Sequence, residues 1–198
     1  MARSKEFDPD AAVSAAMELF WLKGYEATSI QDLVEHLGIG RQSLYATFGS
    51  KHGLYLQALD RYRESQAAGL VDALSTADPV MPAVRRLLES LAHRGRRARR
   101  GCFMVNSAME LLPQDKAVQR RAAATFSQIE EALVEAIRRA QDHGELPTDQ
   151  SPTAAAHFLL TVIQGIRVVD KADASAARVG DAVDMSLRAL GHMPTVRT

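Results

Sequence analysis

The stretch from Gly38 to Tyr55, "GIGRQSLYATFGSKHGLY", decides how the rest of the chain is read. Two glycines open it, and a helix-compatible piece follows that carries Arg41, Gln42, Ser43, Tyr45 and Thr47. Its only large apolar anchors are Leu44 and Phe48, spaced i, i+4. A helix this short is marginal in water, so its neighbours must hold it. Upstream, Thr28 or Ser29 caps a second short helix with an apolar stripe of Ile30, Leu33, Val34 and Leu37, and Gly38 ends it. Two short helices joined by Gly38-Ile39-Gly40 predict a helix-turn-helix. Gly38 tolerates the positive φ of the tight turn, and Ile39 plugs the angle between the helices. A helix from Asp8 to Lys23, with Asp8 as N-cap, Pro9 at N1 and Gly24 as stop, braces them through Val13, Ala16, Met17 and Phe20. The next helix starts at Ser50 and turns Leu54, Ala58 and Leu59 inward.

Beyond a turn-rich break, "STADPVMP", the 3.6-residue period continues. It predicts helices over about 83–94, over "CFMVNSAMELL", over 115–143, over 153–169 and over 176–190. No period-2 strand, internal repeat or low-complexity tract interrupts the series. The expected fold class is all-α, with about nine helices.

At 198 residues and 46% apolar, the chain suits one domain or a small module joined to a larger one. Its formal net charge is zero, so any sign of a charged partner must be local. One cysteine, Cys102, excludes an internal disulfide framework and fits a reducing cytoplasm. The N-terminus has no apolar core of a signal peptide, so export is not expected. The stretch "HFLLTVIQGIRVV" reads as far short of the ~20 residues that span a bilayer.

With Leu44 and Phe48 inward, Arg41, Gln42, Ser43, Tyr45 and Thr47 point outward on a helix that fits a major groove. Arg matches guanine O6/N7 and Gln matches adenine N6/N7. Tyr45 and Lys51 suit phosphates, and Thr28 at a helix N-terminus suits another. Asp and Glu are absent from His36 through Leu59. Yet the first 60 residues lean acidic, so the basic face is narrow. The bland reading of the same helix is a surface with incidental polarity.

The run "GYEATSIQDLVEHLGIGRQSLYATFGSKHGLY" resembles the DNA-binding signature of TetR-type (TetR/AcrR) repressors. The match covers Gly24, Tyr25, Thr28, Ser29, Ile30, Asp32, Leu33, Gly38, Ile39, Leu44, Tyr45, Phe48, Ser50, Lys51 and Leu54. It departs at Val34, Gly40 and Thr47; Gly40 weakens the cap of the recognition helix. "RGCFMVNSAMEL" is similar to a segment found in one branch of that family. The resemblance implies a DNA-binding domain over 1–52 and a helical effector-binding and dimerisation domain over 53–198. It further implies a palindromic double-stranded operator, a homodimer, and a small-molecule effector that releases DNA, with no cofactor, metal or membrane.

Several residues follow as expectations. An effector pocket is expected among Cys102, Phe103, Asn106, Ser107, Met109, Phe126, Ile129, Leu133, His157, Phe158, Thr161 and Gln164. Core packing uses the same residue types, and His157 alone reads better as a satisfied core histidine. A dimer interface is expected through Leu159, Ile163, Ile166, Val179, Val183 and Leu187, because the helix over 153–169 is too apolar for one-sided burial. Arg96, Arg97, Arg99 and Arg100 read as a solvated loop, or as added phosphate attraction. Cys102 sits where a helix N-terminus and nearby cations can activate a thiol. Inert burial is the commoner fate of a lone cysteine, and a thiol-sensing repressor is the alternative function. A small helical enzyme is a distant third, since no His-Glu-x-x-His, phosphate loop or nucleophile elbow is present.

Overall fold

A computed structural model of the chain describes residues 7–92, 100–172 and 175–192. Every regular element among them is helical: α1 (Pro9–Lys23), α2 (Ile30–Leu37), α3 (Arg41–Phe48), α4 (Lys51–Tyr62), a π turn (Arg63–Ala67), α5 (Ala68–Ser75), α6 (Val80–Ala92), α7 (Phe103–Leu111), α8 (Lys116–Asp142), α9 (Pro152–Ala172) and α10 (Ala176–His192). With α4, the π turn and α5 continuous, this makes nine helical runs among the described residues. Arg96, Arg97 and Arg99 lie outside them.

Packing divides the chain into two units. The first takes residues up to Ser65 together with Phe103–Ala122; the second takes Gln66–Cys102 and Ala123 onward. This is a different partition from a boundary at residue 52, because α4 packs along α1 and the segment from Phe103 packs with α4.

In the first unit the caps are as the sequence predicts. Asp8 accepts from the Asp10 N–H, and Gly24 stops α1 by donating to the Phe20 carbonyl. Ser29, not Thr28, caps α2, closing a capping box with Asp32. Gly38 adopts φ +65° at the turn, and Ile39 is buried in it. The core is aromatic. Phe20 and Tyr55 meet edge to face at 4.9 Å between ring centroids, and Phe103 packs on Trp21, Tyr55 and Tyr62. Such pairs each add about 0.5–1.5 kcal/mol beyond burial.

The second unit is a helical body whose core includes Leu88, Leu133, Ile137, Leu159, Ile163 and Val183. Its α6 begins at Val80, earlier than the sequence pattern predicts. The reason is tertiary. Glu145, in the loop between α8 and α9, accepts from the backbone N–H groups of Val80 and Met81, at 2.8 Å each. That carboxylate satisfies orphan donors of the first turn.

The expectation about membrane-spanning length needs correcting. By length and composition α9 could cross a membrane, with 21 residues and a mean hydropathy of 1.3 over its most apolar window. Folding supplies another use for that apolarity: Ala155, Ala156, Leu159, Ile163 and Ile166 are buried inside the second unit.

Candidate nucleic-acid interface

Eight residues form α3, roughly 12 Å of helix. Leu44 is 0% exposed and Phe48 is buried, so the two anchors dock the helix on the first unit. Arg41, Gln42, Tyr45 and Thr47 are exposed, and Ser43 is half-buried. Arg41, Tyr45 and Thr47 flank the buried Leu44–Phe48 stripe and Gln42 lies across the helix from it, so all four reach solvent. Gly40 occupies the N-cap and provides no side-chain cap.

Lys51 stands at the N-terminus of α4 with its Nζ 4.3 Å above the Tyr25 ring. This cation–π contact holds the ammonium over the α1–α2 turn. Burial, with the charges of Glu26 and Asp115, raises the Tyr25 pKa, so its hydroxyl stays a proton donor. Of the two acids on α2, Glu35 accepts from Gln31 and Asp32 is neutralised locally. Lys23 sits 2.8 Å from it, and hydrogen bonds from Lys23 and Ser29 hold its carboxyl well below the usual range.

Thr28 departs from expectation. It is 0% exposed, and its hydroxyl donates to the Gly24 carbonyl at 2.6 Å. It closes the turn between α1 and α2 and offers no free group to a phosphate. Nothing in the sequence distinguished a threonine turned outward from one turned back on its own chain.

Sequence reasoning also missed how the segment after Phe103 grips this module. The Tyr55 hydroxyl donates to Ser107 Oγ at 2.7 Å, and Ser107 donates in turn to the Phe103 carbonyl. Arg121 forks onto Asp60 with Nε and Nη2. Asp115 Oδ2 lies 2.6 Å from His52 Nε2. Burial pushes the Asp115 carboxyl up. The Val118 N–H, His52 and the Ala117 N–H outweigh it, leaving the pKa below its ordinary value. A depressed carboxylate contributes stability that is present above its unfolded pKa, about 3.9, and is lost as pH falls through the folded value. The melting temperature of wild type should therefore exceed that of Asp115→Asn at pH 7. The gap should shrink as pH drops below about 4; a constant gap would contradict it.

The residues expected to line one effector pocket divide between the two units. Phe103 and Ser107 are buried in the first unit's core, and Met109 is 82% exposed. Asn106 belongs to the same unit and is half-buried. In the second unit, Ile129 and Leu133 are core, and Phe126 and Phe158 are half-buried. His157 is not a core histidine: it is exposed and bonds Glu130 at 3.0 Å. Thr161 is also exposed, donating to the His157 carbonyl. Gln164 differs from all of these, since both its amide atoms are buried with no hydrogen-bond partner among the described residues.

The expected dimer residues are largely engaged within their own unit. Leu159, Ile163 and Val183 are fully buried in their own unit, and Ile166 and Val179 nearly so, with Leu187 packed against the same core. The outer face of α9 and α10 shares two of them, Ile166 and Val179. A groove of about 490 Å³ runs there, lined by these two with Phe158, Val162, Gly165, Val169, Ala182, Met185 and Ala189, and with Arg178 and Ser186 as its polar members.

One trio of metal-ligating type occurs among the described residues. Asp78, His143 and Glu145 bring donor atoms within 4.8 Å of one another. Both Glu145 oxygens are already engaged on α6, which accounts for its place there.

A docked short helix with an exposed polar surface, packed against α2 and α4, defines a helix-turn-helix DNA-binding protein. Comparison with known proteins gives the family. Bacterial regulatory proteins of the tetR family match residues 12–58, and the tetracyclin repressor-like C-terminal domain matches residues 80–185. An uncharacterised HTH-type regulator, YezE of Bacillus subtilis (strain 168), is 37% identical over 96% of this chain and 100% of its own. The HTH-type transcriptional repressor ComR of Escherichia coli (strain K12) is 34% identical over 94% of this chain and 90% of its own. A cysteine mutant of the TetR family regulator CifR, solved with a 26-bp operator duplex, superposes with a TM-score of 0.83 at 32% identity. The match covers 96% of this chain and 100% of that one. The chain belongs to the TetR family of transcriptional regulators.

Proposed function

We propose that this protein is a ligand-responsive repressor that binds a palindromic operator as a homodimer and is released by a small-molecule effector. It acts in the cytoplasm and catalyses no reaction. The observation that carries the reading is the outward row Arg41, Gln42, Tyr45 and Thr47 on a helix anchored by two buried residues. Relatives of similar length carry repressor names, and CifR was solved on operator DNA. Arg41 and Gln42 read base edges, Ser43 and Thr47 lie on the same helix as secondary contacts, and Tyr45 and Lys51 hold phosphates.

Dimerisation through the outer groove of α9 and α10 is supported by the groove's apolar lining and by Gly165 and Ala182, which permit close approach. Two recognition helices about 34–36 Å apart then meet successive major grooves. For the effector, the unpartnered Gln164 amide is the best-supported contact, because a ligand with both a donor and an acceptor would satisfy it. A thiol-triggered release is the less favoured reading, since Cys102 is only 4% exposed.

The test is to recover preferred duplexes from a random library with the purified full chain. Arg41→Ala and Gln42→Ala should each relax base preference at one position of the half-site, by about 1–3 kcal/mol. Lys51→Ala should weaken all sequences alike and reduce the salt slope by roughly one. Unchanged affinity in all three variants would remove α3 as the reading helix.

A further inference from the structure

We infer that Glu110 is a positioning residue for operator binding, the point at which the chain beyond the helix-turn-helix takes hold of the reading head. The inference rests on the regulator reading above. The turn between α1 and α2 presents two consecutive backbone N–H groups. Glu110 Oε2 accepts from Tyr25 at 3.0 Å and Glu110 Oε1 from Glu26 at 2.8 Å. This is a carboxylate held by a backbone nest, a geometry that fixes position as well as charge.

The turn is built to receive it. Gly24 has φ +87°, and a Cβ there would stand 3.1 Å from both Glu110 oxygens. Glycine suits the backbone conformation, and any Cβ there would also press the carboxylate back by a few tenths of an ångström. Thr28 ties the same turn from the other side through the Gly24 carbonyl. Directly after that turn come Ser29, which caps α2, and then α3. A shift of the turn is thus a shift of the entry to α2 and, through it, to α3. Glu110 lies on α7, inside a segment that enters from Cys102 and leaves at Ala123, both assigned to the other unit. Of that segment's polar grips on the module, Ser107 and Arg121 hold α4 and Asp115 holds α4's first turn. Among that segment's described polar contacts, the Glu110 fork is the one that holds the α1–α2 turn itself.

The experiment uses full-length protein and the duplex selected by wild type, with an unrelated duplex as control. Amide hydrogen exchange at Tyr25 and Glu26 is followed in parallel. Glu110→Ala and Glu110→Gln should each weaken the selected duplex about tenfold, within the usual range of coupling effects. Exchange at the two amides should rise, while helix content, affinity for the unrelated duplex and the salt slope stay at wild-type values. A purely structural role would lower the melting temperature and leave the affinity of the folded protein alone. Gln keeps one acceptor oxygen, so it reports even if the Ala variant fails to fold. Wild-type affinity in a folded variant whose Tyr25 and Glu26 amides exchange faster would overturn the assignment. If wild type itself selects no sequence, the regulator reading fails first, and that result is distinct from the failure of Glu110.

Discussion

A chain carrying both Val169→Glu and Met185→Glu is expected to be a monomer at micromolar concentration and to bind its palindrome about a thousandfold more weakly than wild type. Both side chains are exposed, at 40% and 63%, and both line the outer groove of α9 and α10. Neither belongs to the second unit's core, so each chain keeps its fold. In a dimer closed over this groove, symmetry would bring four new carboxylates into one apolar interface. Unpaired buried charge is costly, and dissociation returns it to water. Half-sites bound independently lose the effective-concentration advantage of a linked pair, which is typically a factor of 10²–10⁴. Light scattering and duplex titration at fixed salt are the measurements. A persistent dimer with undiminished affinity would move the interface elsewhere.

Leu44→Ala should cost about 3 kcal/mol and eliminate sequence-specific binding. Leu44 is fully buried beneath α3, and Leu→Ala substitutions at such sites cost about 2–5 kcal/mol through lost transfer energy plus the cavity left behind. The effect on function is larger than that figure conveys. A helix of eight residues has too few internal hydrogen bonds to persist undocked, and Phe48 would be its only remaining anchor. The melting temperature should fall by roughly 10 °C. Trp21, the only tryptophan, packs on Tyr62 and Phe103 in the same unit and makes a local fluorescence probe. A variant melting within about 1 °C of wild type would show that α3 is held by something other than this side chain.

Much of the reading head was legible because its signals are local. Asp8, Pro9 and Gly24 bound α1, Ser29 and Gly38 bound α2, and each acts on backbone groups within four residues of itself. The buried anchors of α3 follow from residue type and spacing, since only Leu44 and Phe48 are large and apolar and the polar side chains around them are left to solvent. Hence the fold class, the helix-turn-helix and the row Arg41, Gln42, Tyr45 and Thr47 could be derived before any coordinate was known. Thr28 marks the limit even there, because a hydroxyl next to a cap can turn to solvent or back to a carbonyl, and sequence period does not say which.

What tertiary structure decided lies wherever two apolar faces or two distant segments compete. α9 and α10 are apolar on more than one side, so periodicity identified the helices but not which stripe, Leu159 with Ile163 or Val162 with Val169, enters the core. Only packing against α6 and α8 resolves that. The start of α6 at Val80 depends on Glu145, 65 residues away, and the α1–α2 turn depends on Glu110, 85 residues from Tyr25. Such partners have no signature in local spacing, because each is an ordinary surface glutamate until the fold brings two backbone N–H groups to it. The sequence by itself therefore determined the helices, their caps and the outward face of α3. The choice of buried face, and the carboxylates that hold the turns, were decided by contacts that exist only once the chain is folded.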